Sequence, residues 1–208
     1  MQAVLLTLTL CALQLCPAVL GGPQHQRFVL GGGWPLKLTR VHNFAWKNCD
    51  PSDPARIKSL NIIPDPIRIP GDVTVSVSGA TTITLEAPMT AIVTLEKKIG
   101  DMWLKVPCVD QLGSCTYDDV CAILDSLVPP GQPCPEPLHS YGIPCRCPFK
   151  AGSYGLPSTD LYIPNMDLPS FLTNGDYRLK VILKNHEQEF GCVMVSFSLH
   201  AESRWFWW

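Results

Sequence analysis

No stretch beyond the first twenty residues approaches the roughly 20 consecutive apolar residues that a bilayer crossing needs, so the chain does not read as a membrane-spanning protein. Charge of one sign is scarce as well: 16 Lys and Arg stand against 18 Asp and Glu, a formal total of -2. The Lys and Arg residues are scattered, and the basic stripe expected of a nucleic-acid binder is missing; nucleic acid is not an expected partner. The common catalytic signatures are missing too. There is no G-x-S-x-G elbow, no H-E-x-x-H helix and no phosphate-cradling glycine loop. No N-x-[ST] sequon occurs, so no N-glycan is expected. No internal repeat is found.

What is present begins with a short uncharged apolar run ending in small residues at Gly21-Gly22. This predicts a cleaved signal peptide over 1–21. Residues 22–40, with Gly31-Gly32-Gly33, read as a flexible leader or propeptide, and the folded domain is expected to start near Val41. About 165 residues then remain, enough for one domain with a real core. The chain has ten cysteines. Cys11 and Cys16 leave with the signal peptide, and Cys49, Cys108, Cys115, Cys121, Cys134, Cys145, Cys147 and Cys192 form an even set in an oxidising lumen. They read as disulfides rather than a zinc site. Cys145 and Cys147 should serve different partners, because a bridge between residues two apart is strained.

Apolar residues recur with period two in Val73, Val75 and Val77, in Ile83 and Leu85, in Tyr177, Leu179, Val181 and Leu183, and in Val193, Val195, Phe197 and Leu199. That period gives a strand one dry and one wet face. Antiparallel strands patterned this way close into a sandwich, a barrel or a cup. One segment differs: Val120, Ile123, Leu124 and Leu127 fall at helical spacing, with Thr116 as the expected N-cap and Asp118 and Asp119 in the first turn. Pro129-Pro130-Gly131 stops this helix, and the Pro- and Cys-rich stretch to Pro148 should lack regular structure.

Asp118 and Asp119 read as complements to the helix dipole rather than a catalytic pair. Asp50, Asp53, Asp65 and Asp72 neighbour Pro or Gly and read as turn residues. His42, His139 and His186 are isolated, leaving only a triad assembled from distant residues as a route to catalysis. Two loops are more apolar than turns should be. One runs through Ile99, Met102 and Trp103, the other through Met166, Leu168, Phe171 and Leu172. Either these side chains tuck into the core, or they rim a cavity mouth and meet a membrane surface. Size narrows the lipid reading. Each CH2 is worth about 0.8 kcal/mol, so extracting a two-chain lipid with roughly 30 of them forfeits on the order of 25 kcal/mol. A carrier must enclose the chains.

The run Phe44-Ala45-Trp46-Lys47-Asn48-Cys49-Asp50, then Pro64-Asp65-Pro66-Ile67 with Pro70-Gly71, and Gly113-Ser114-Cys115-Thr116, is specific enough to compare. With Pro133-Cys134-Pro135-Glu136-Pro137-Leu138, Tyr141-Gly142 and Pro144-Cys145-Arg146-Cys147-Pro148-Phe149-Lys150, the chain resembles the GM-two ganglioside activator family of lysosomal sphingolipid activators. The resemblance runs from Phe44 to Leu199. It implies a mainly β, single-domain, eight-stranded antiparallel β-cup around an apolar lipid cavity, with four disulfides: Cys49–Cys192, Cys108–Cys115, Cys121–Cys147 and Cys134–Cys145.

It also implies a non-enzymatic role: extracting ganglioside or other glycosphingolipids from anionic lysosomal membranes and presenting them to β-hexosaminidase A, which removes the terminal N-acetylgalactosamine. No cofactor or metal is implied. The expected place is the lysosome lumen, with a secreted fraction, and the two apolar loops coincide with the family's mobile loops at the mouth. Phe171 stands where the family usually has tryptophan. Asp72-Val73-Thr74 replaces its sequon, so sorting would run through a protein receptor or recapture after secretion. The tail from His200 to Trp208 also departs, and reads either as an interfacial Trp anchor or as a variant end without a role in the fold. Histidine gains charge between pH 7 and 5, so the five histidines would take the formal total from -2 to about +3 and favour anionic membranes. Two rival classes are a cysteine-rich inhibitor or ligand, for which Pro133–Pro148 would form a rigid loop, and a lipid hydrolase, which would need a clustered His-Asp pair.

Overall fold

The computed structural model describes residues 44–201, apart from Asp167, Ser170 and Phe171. The expected signal peptide and leader, residues 202–208 of the tail, and the candidate rim residue Phe171 lie outside the described residues. The elements are β1 (Ala45–Asn48), β2 (Ala55–Ile63), β3 (Ile67–Ile69), β4 (Gly71–Thr81), β5 (Thr90–Ile99), β6 (Met102–Lys105) and β7 (Thr116–Tyr117), then one helix, α1 (Val120–Leu127), then β8 (Gly152–Ile163), β9 (Gly175–Asn185) and β10 (Gln188–Ala201). No described helix is long and apolar enough to cross a membrane.

Two sheets form. A seven-stranded sheet runs β1-β10-β9-β5-β6, with β3 added to β10 and β7 to β5; a three-stranded sheet runs β2-β4-β8. Ladders are antiparallel except that of β3 on β10. Three short ladders, β3, β6 and β7, take the strand number past the eight that the family resemblance implies.

The period-two pattern explains how the sheets meet. On β4, Val73, Val75 and Val77 stand opposite Leu161, Thr159 and Leu156 of β8, and Val75 and Val77 opposite Ile62 and Leu60 of β2. On β9, Tyr177, Leu179 and Val181 stand opposite Phe197, Val195 and Val193 of β10. A slip of one residue would turn either set to solvent, so burial holds both registers. Ile83 is not in a strand, and Leu85 makes a single bridge to Phe149.

The helix starts later than the sequence suggests. Thr116 is engaged in the β7 ladder beside Ile92, and the N-cap is Asp119, whose carboxylate accepts the Cys121 amide at 2.9 Å and the Met89 amide at 3.2 Å. Asp118 and Asp119 therefore precede the first turn. Beyond α1, Arg146 donates to the carbonyls of Val128, Pro129 and Gln132, where a cation suits the helix C-terminus. This gives the proline-rich stretch an internal brace in place of regular structure.

Asp65 is no mere turn residue. It is buried, and its two oxygens accept the amides of Phe44 at 2.7 Å and Ser198 at 3.1 Å. The carboxylate fills the gap on the β10 edge between β1 and β3, where otherwise two amides would lack partners. His200 and Ala201 belong to β10, paired with Arg68 and Ile69, so the strand runs two residues beyond Leu199. The disulfides join Cys49 to Cys192, Cys108 to Cys115, Cys121 to Cys147 and Cys134 to Cys145. The first closes a loop of 143 residues, for which chain entropy assigns roughly 5 kcal/mol.

Candidate functional site

The inward faces do not fill the space between the sheets. A cavity of 390 Å³ remains, walled by Val77 and Leu156 on one side and by Val181, Leu183 and Val193 on the other. Met89 and Phe149 also line it; they belong to an apolar cluster with Cys121 and Phe190 that packs the end nearest the helix. Asn48 lies on the cavity wall but its amide is spent: Nδ2 donates to the Ile57 carbonyl at 2.8 Å and Oδ1 accepts the Ile57 amide at 3.0 Å. That pair of bonds ties β1 to β2 and so joins the two sheets. At the same seam, Gly191 lets β2 approach β10. A Cβ there would lie 3.0 Å from the Ala55 carbonyl oxygen, so the lack of a side chain is what closes this end.

The opposite end carries the apolar loops. Thr90 pairs with Lys184 and Lys97 with Tyr177, which places the β5–β6 hairpin tip and the start of β9 together, away from the cavity. None of the described candidate rim residues lines the cavity. Ile99 and Met102, at the tip, are 54% and 65% exposed, and Met166 is also exposed. Trp103 is half-buried. It pairs with Lys98 on the outward side of the sheet, and the Arg178 guanidinium lies 3.9 Å over its ring, so it faces away from the interior.

Leu172 is only 7% exposed and packs with Val106 and Tyr177, with Leu168 against the same cluster. In this conformation these two leucines fill the interior and do not rim it. Their packing partner is Tyr177, an inward ring 1% exposed, stacked on Phe197 at 5.6 Å; the Leu172 amide donates to the Pro169 carbonyl. Burial pushes the Tyr177 phenol pKa up, and the Lys97 ammonium sits 5.5 Å from its ring centre.

Sequence reasoning did not single out Ile63 and Tyr162, which are exposed at the ends of β2 and β8 opposite Thr74 and Asp72, on the outer side of the three-stranded sheet. The available signal was an Ile-Pro pair closing each strand, Ile63-Pro64 and Ile163-Pro164. It also gave no cavity role to Met89 and Phe149, which lie outside the strands and the helix; Leu85, read as part of a strand, lines the cavity from a single bridge instead. Capacity can be judged from size: a methylene is about as large as a water molecule, whose share of liquid is about 30 Å³. Thirty of them need roughly 900 Å³, more than twice the 390 Å³ present. Leu168 and Leu172, with Val106 and Tyr177, occupy interior space outside that cavity. Among the described residues, no group of His, Cys, Asp and Glu is placed to hold a metal ion.

The ML domain model matches residues 43–199 of this chain. The ganglioside GM2 activator of Mus musculus is 49% identical over 166 residues, covering 79% of this chain and 86% of the mouse protein. That of Macaca fascicularis is 50% identical over 163 residues, covering 78% and 86%. Among solved structures, a Niemann-Pick type C2 protein from Japanese carpenter ant aligns with a TM-score of 0.38 at 13% identity, covering 75% of this chain and 99% of that one. The family model's residues 43–199 take in both sheets and the cavity between them: the chain belongs to the ML-domain family, and ganglioside GM2 activators are among the relatives it resembles at about half identity.

Proposed function

We propose that this protein is a non-enzymatic lipid-transfer activator, which takes a ganglioside from the membrane into its cup and presents the headgroup to β-hexosaminidase A for removal of the terminal N-acetylgalactosamine. The observation that carries this reading is the apolar 390 Å³ cavity between two sheets, in a chain about half identical to ganglioside GM2 activators. The lipid tails enter between the inward faces. Ile99, Met102, Trp103, Met166, Leu168, Phe171 and Leu172 belong to the two loops that meet the membrane and open the mouth, Leu168 and Leu172 swinging outward as tails replace them beside Tyr177. Lipid hydrocarbon covers the apolar surface that the departing leucines uncover, so exchange has little net cost in buried area. The proposed compartment is the lysosome lumen with a secreted fraction.

The test is extraction of labelled ganglioside from anionic vesicles at pH ~5, with and without β-hexosaminidase A. Soluble one-to-one complexes and hydrolysis only with the enzyme are expected. No extraction by the intact protein, or hydrolysis by the protein alone, would overturn the reading.

A further inference from the structure

The outward side of the seven-stranded sheet concentrates cations that the near-neutral total conceals. The inward positions of β9 and β10 are Tyr177, Leu179, Val181 and their partners, so the intervening residues face out. Lys47, Met194, Lys180 and Thr94 form one row across β1, β10, β9 and β5; Arg178, Glu96 and Lys105 form a second across β9, β5 and β6. Lys98 stands beside Trp103, and Lys184 beside Thr90. Lys47, Lys98, Lys105 and Arg178 are exposed.

The carboxylates on this face, Glu96, Asp176 and Glu189 with Asp101 at the hairpin tip, are outnumbered by Lys47, Lys98, Lys105, Arg178, Lys180 and Lys184. Glu96 lies between Arg178 and Lys105, Glu189 is opposite Lys184, and Asp176 accepts the Ser198 hydroxyl at 2.8 Å. Elsewhere the balance is different. The three-stranded sheet carries Arg56 and Lys58 on β2 and Asp72 and Asp160 on β4 and β8, equal numbers of each sign. In 106–150, Asp110, Asp118, Asp119, Asp125 and Glu136 exceed Arg146 and Lys150. Among the described residues, the excess of cations is therefore concentrated on the outer side of the seven-stranded sheet.

We propose that the outer face of the seven-stranded sheet is the surface that lies against an anionic lipid bilayer, with the exposed Ile99 and Met102 side chains of the β5–β6 hairpin as its apolar edge. This rests on the lipid-transfer reading and names the docking face for it. Five adjacent strands at about 4.8 Å spacing make a face roughly 20 Å across, so the cations act together within a Debye length or two of a charged plane. A bilayer supplies both a negative plane and hydrocarbon beside it. An acidic protein would match the cations but leave Ile99 and Met102 without apolar partners. Arg178 over Trp103 joins the two chemistries, a cation and an interfacial ring at one place.

The experiment is flotation of the mature protein with phosphatidylcholine vesicles, with and without phosphatidylglycerol, at pH ~7 and low salt. Each basic residue near such a surface is worth about five-fold in affinity, so Lys105→Gln with Lys180→Gln should weaken binding roughly 30-fold. Lys105→Arg with Lys180→Arg should keep parental affinity, and Lys58→Gln with Lys150→Gln, an equal change of charge elsewhere, should leave it unaltered. Full vesicle affinity in the Lys105 and Lys180 glutamine variant overturns the face, as does equal loss in the Lys58 and Lys150 variant. Intact vesicle affinity with lost activation of β-hexosaminidase A assigns the face to an acidic protein instead. Uptake of micellar ganglioside without vesicles is measured in parallel: a parent that takes up none overturns the lipid-transfer reading, whereas normal uptake with unaltered vesicle affinity overturns the docking face alone.

Discussion

If the space between the sheets is a ligand cavity, a larger side chain there should stabilise the protein and impair lipid uptake together. Val77 is the position to enlarge: it lines the cavity at the middle of β4, between Leu60 and Leu156. Val77→Phe adds four carbons, about 120 Å³ at roughly 30 Å³ each, or near a third of the 390 Å³ present. Burying them contributes up to about 3 kcal/mol at about 0.8 kcal/mol per carbon. In a filled core the same change costs about 1–3 kcal/mol. The sign of the stability change thus distinguishes an empty cup from a filled one. At roughly 2–4 °C per kcal/mol for a domain of this size, Tm should rise by about 6–12 °C. Four lipid methylenes lose their place, so ganglioside uptake should weaken on the order of 200-fold. Thermal unfolding and labelled-ganglioside extraction read the two effects. A fall in Tm with uptake unchanged would rule out an empty, lipid-accepting cup.

Leu172→Ala should lower stability by about 2–3 kcal/mol, because Leu172 packs on Tyr177 and Val106, while lipid uptake becomes faster; an unchanged Tm would mean that the loop does not hold Leu172 inward. Asp65→Ala strands the Phe44 and Ser198 amides and should cost roughly 2–4 kcal/mol. Hydrogen exchange at those two amides should rise well above that at Val193, and equal protection would count against the carboxylate's bridging role. Burial raises the Tyr177 pKa, so the unfolded chain releases this proton first. The stability linked to Tyr177 is fully present below the unfolded value near 10 and declines as pH rises above it. Denaturant midpoints across pH 9–11 should show this decline in the parent and a smaller one in Tyr177→Phe.

Some of this was legible along the chain because its cause is local. The alternation in Val73–Val77 and Tyr177–Leu183 announces strands with one dry face, since a pleated strand sends successive side chains to opposite sides. Pro129-Pro130-Gly131 ends the helix just after Leu127 and Val128. Other positions misled because a tertiary partner outweighed the local signal. Thr116 is a good N-cap in isolation, but the β7 ladder takes it and Asp119 caps instead. Asp65 beside proline resembles a turn residue, but distant amides at Phe44 and Ser198 claim its oxygens. Trp103 and Leu172 read as equivalent apolar loop residues, yet strand parity turns one outward under Arg178 while the buried Tyr177 ring draws the other inward.

The order of amino acids alone set the strand periods and the helical segment, which are properties of neighbours within a few residues, and its composition set the even cysteine set and the scarcity of catalytic motifs. Folding in three dimensions settled where the sheets part to leave a cavity, which loop side chains close the interior, and which sheet face gathers the cations. Each of those depends on registers between strands many residues apart, and a register is chosen by the burial of whole faces at once.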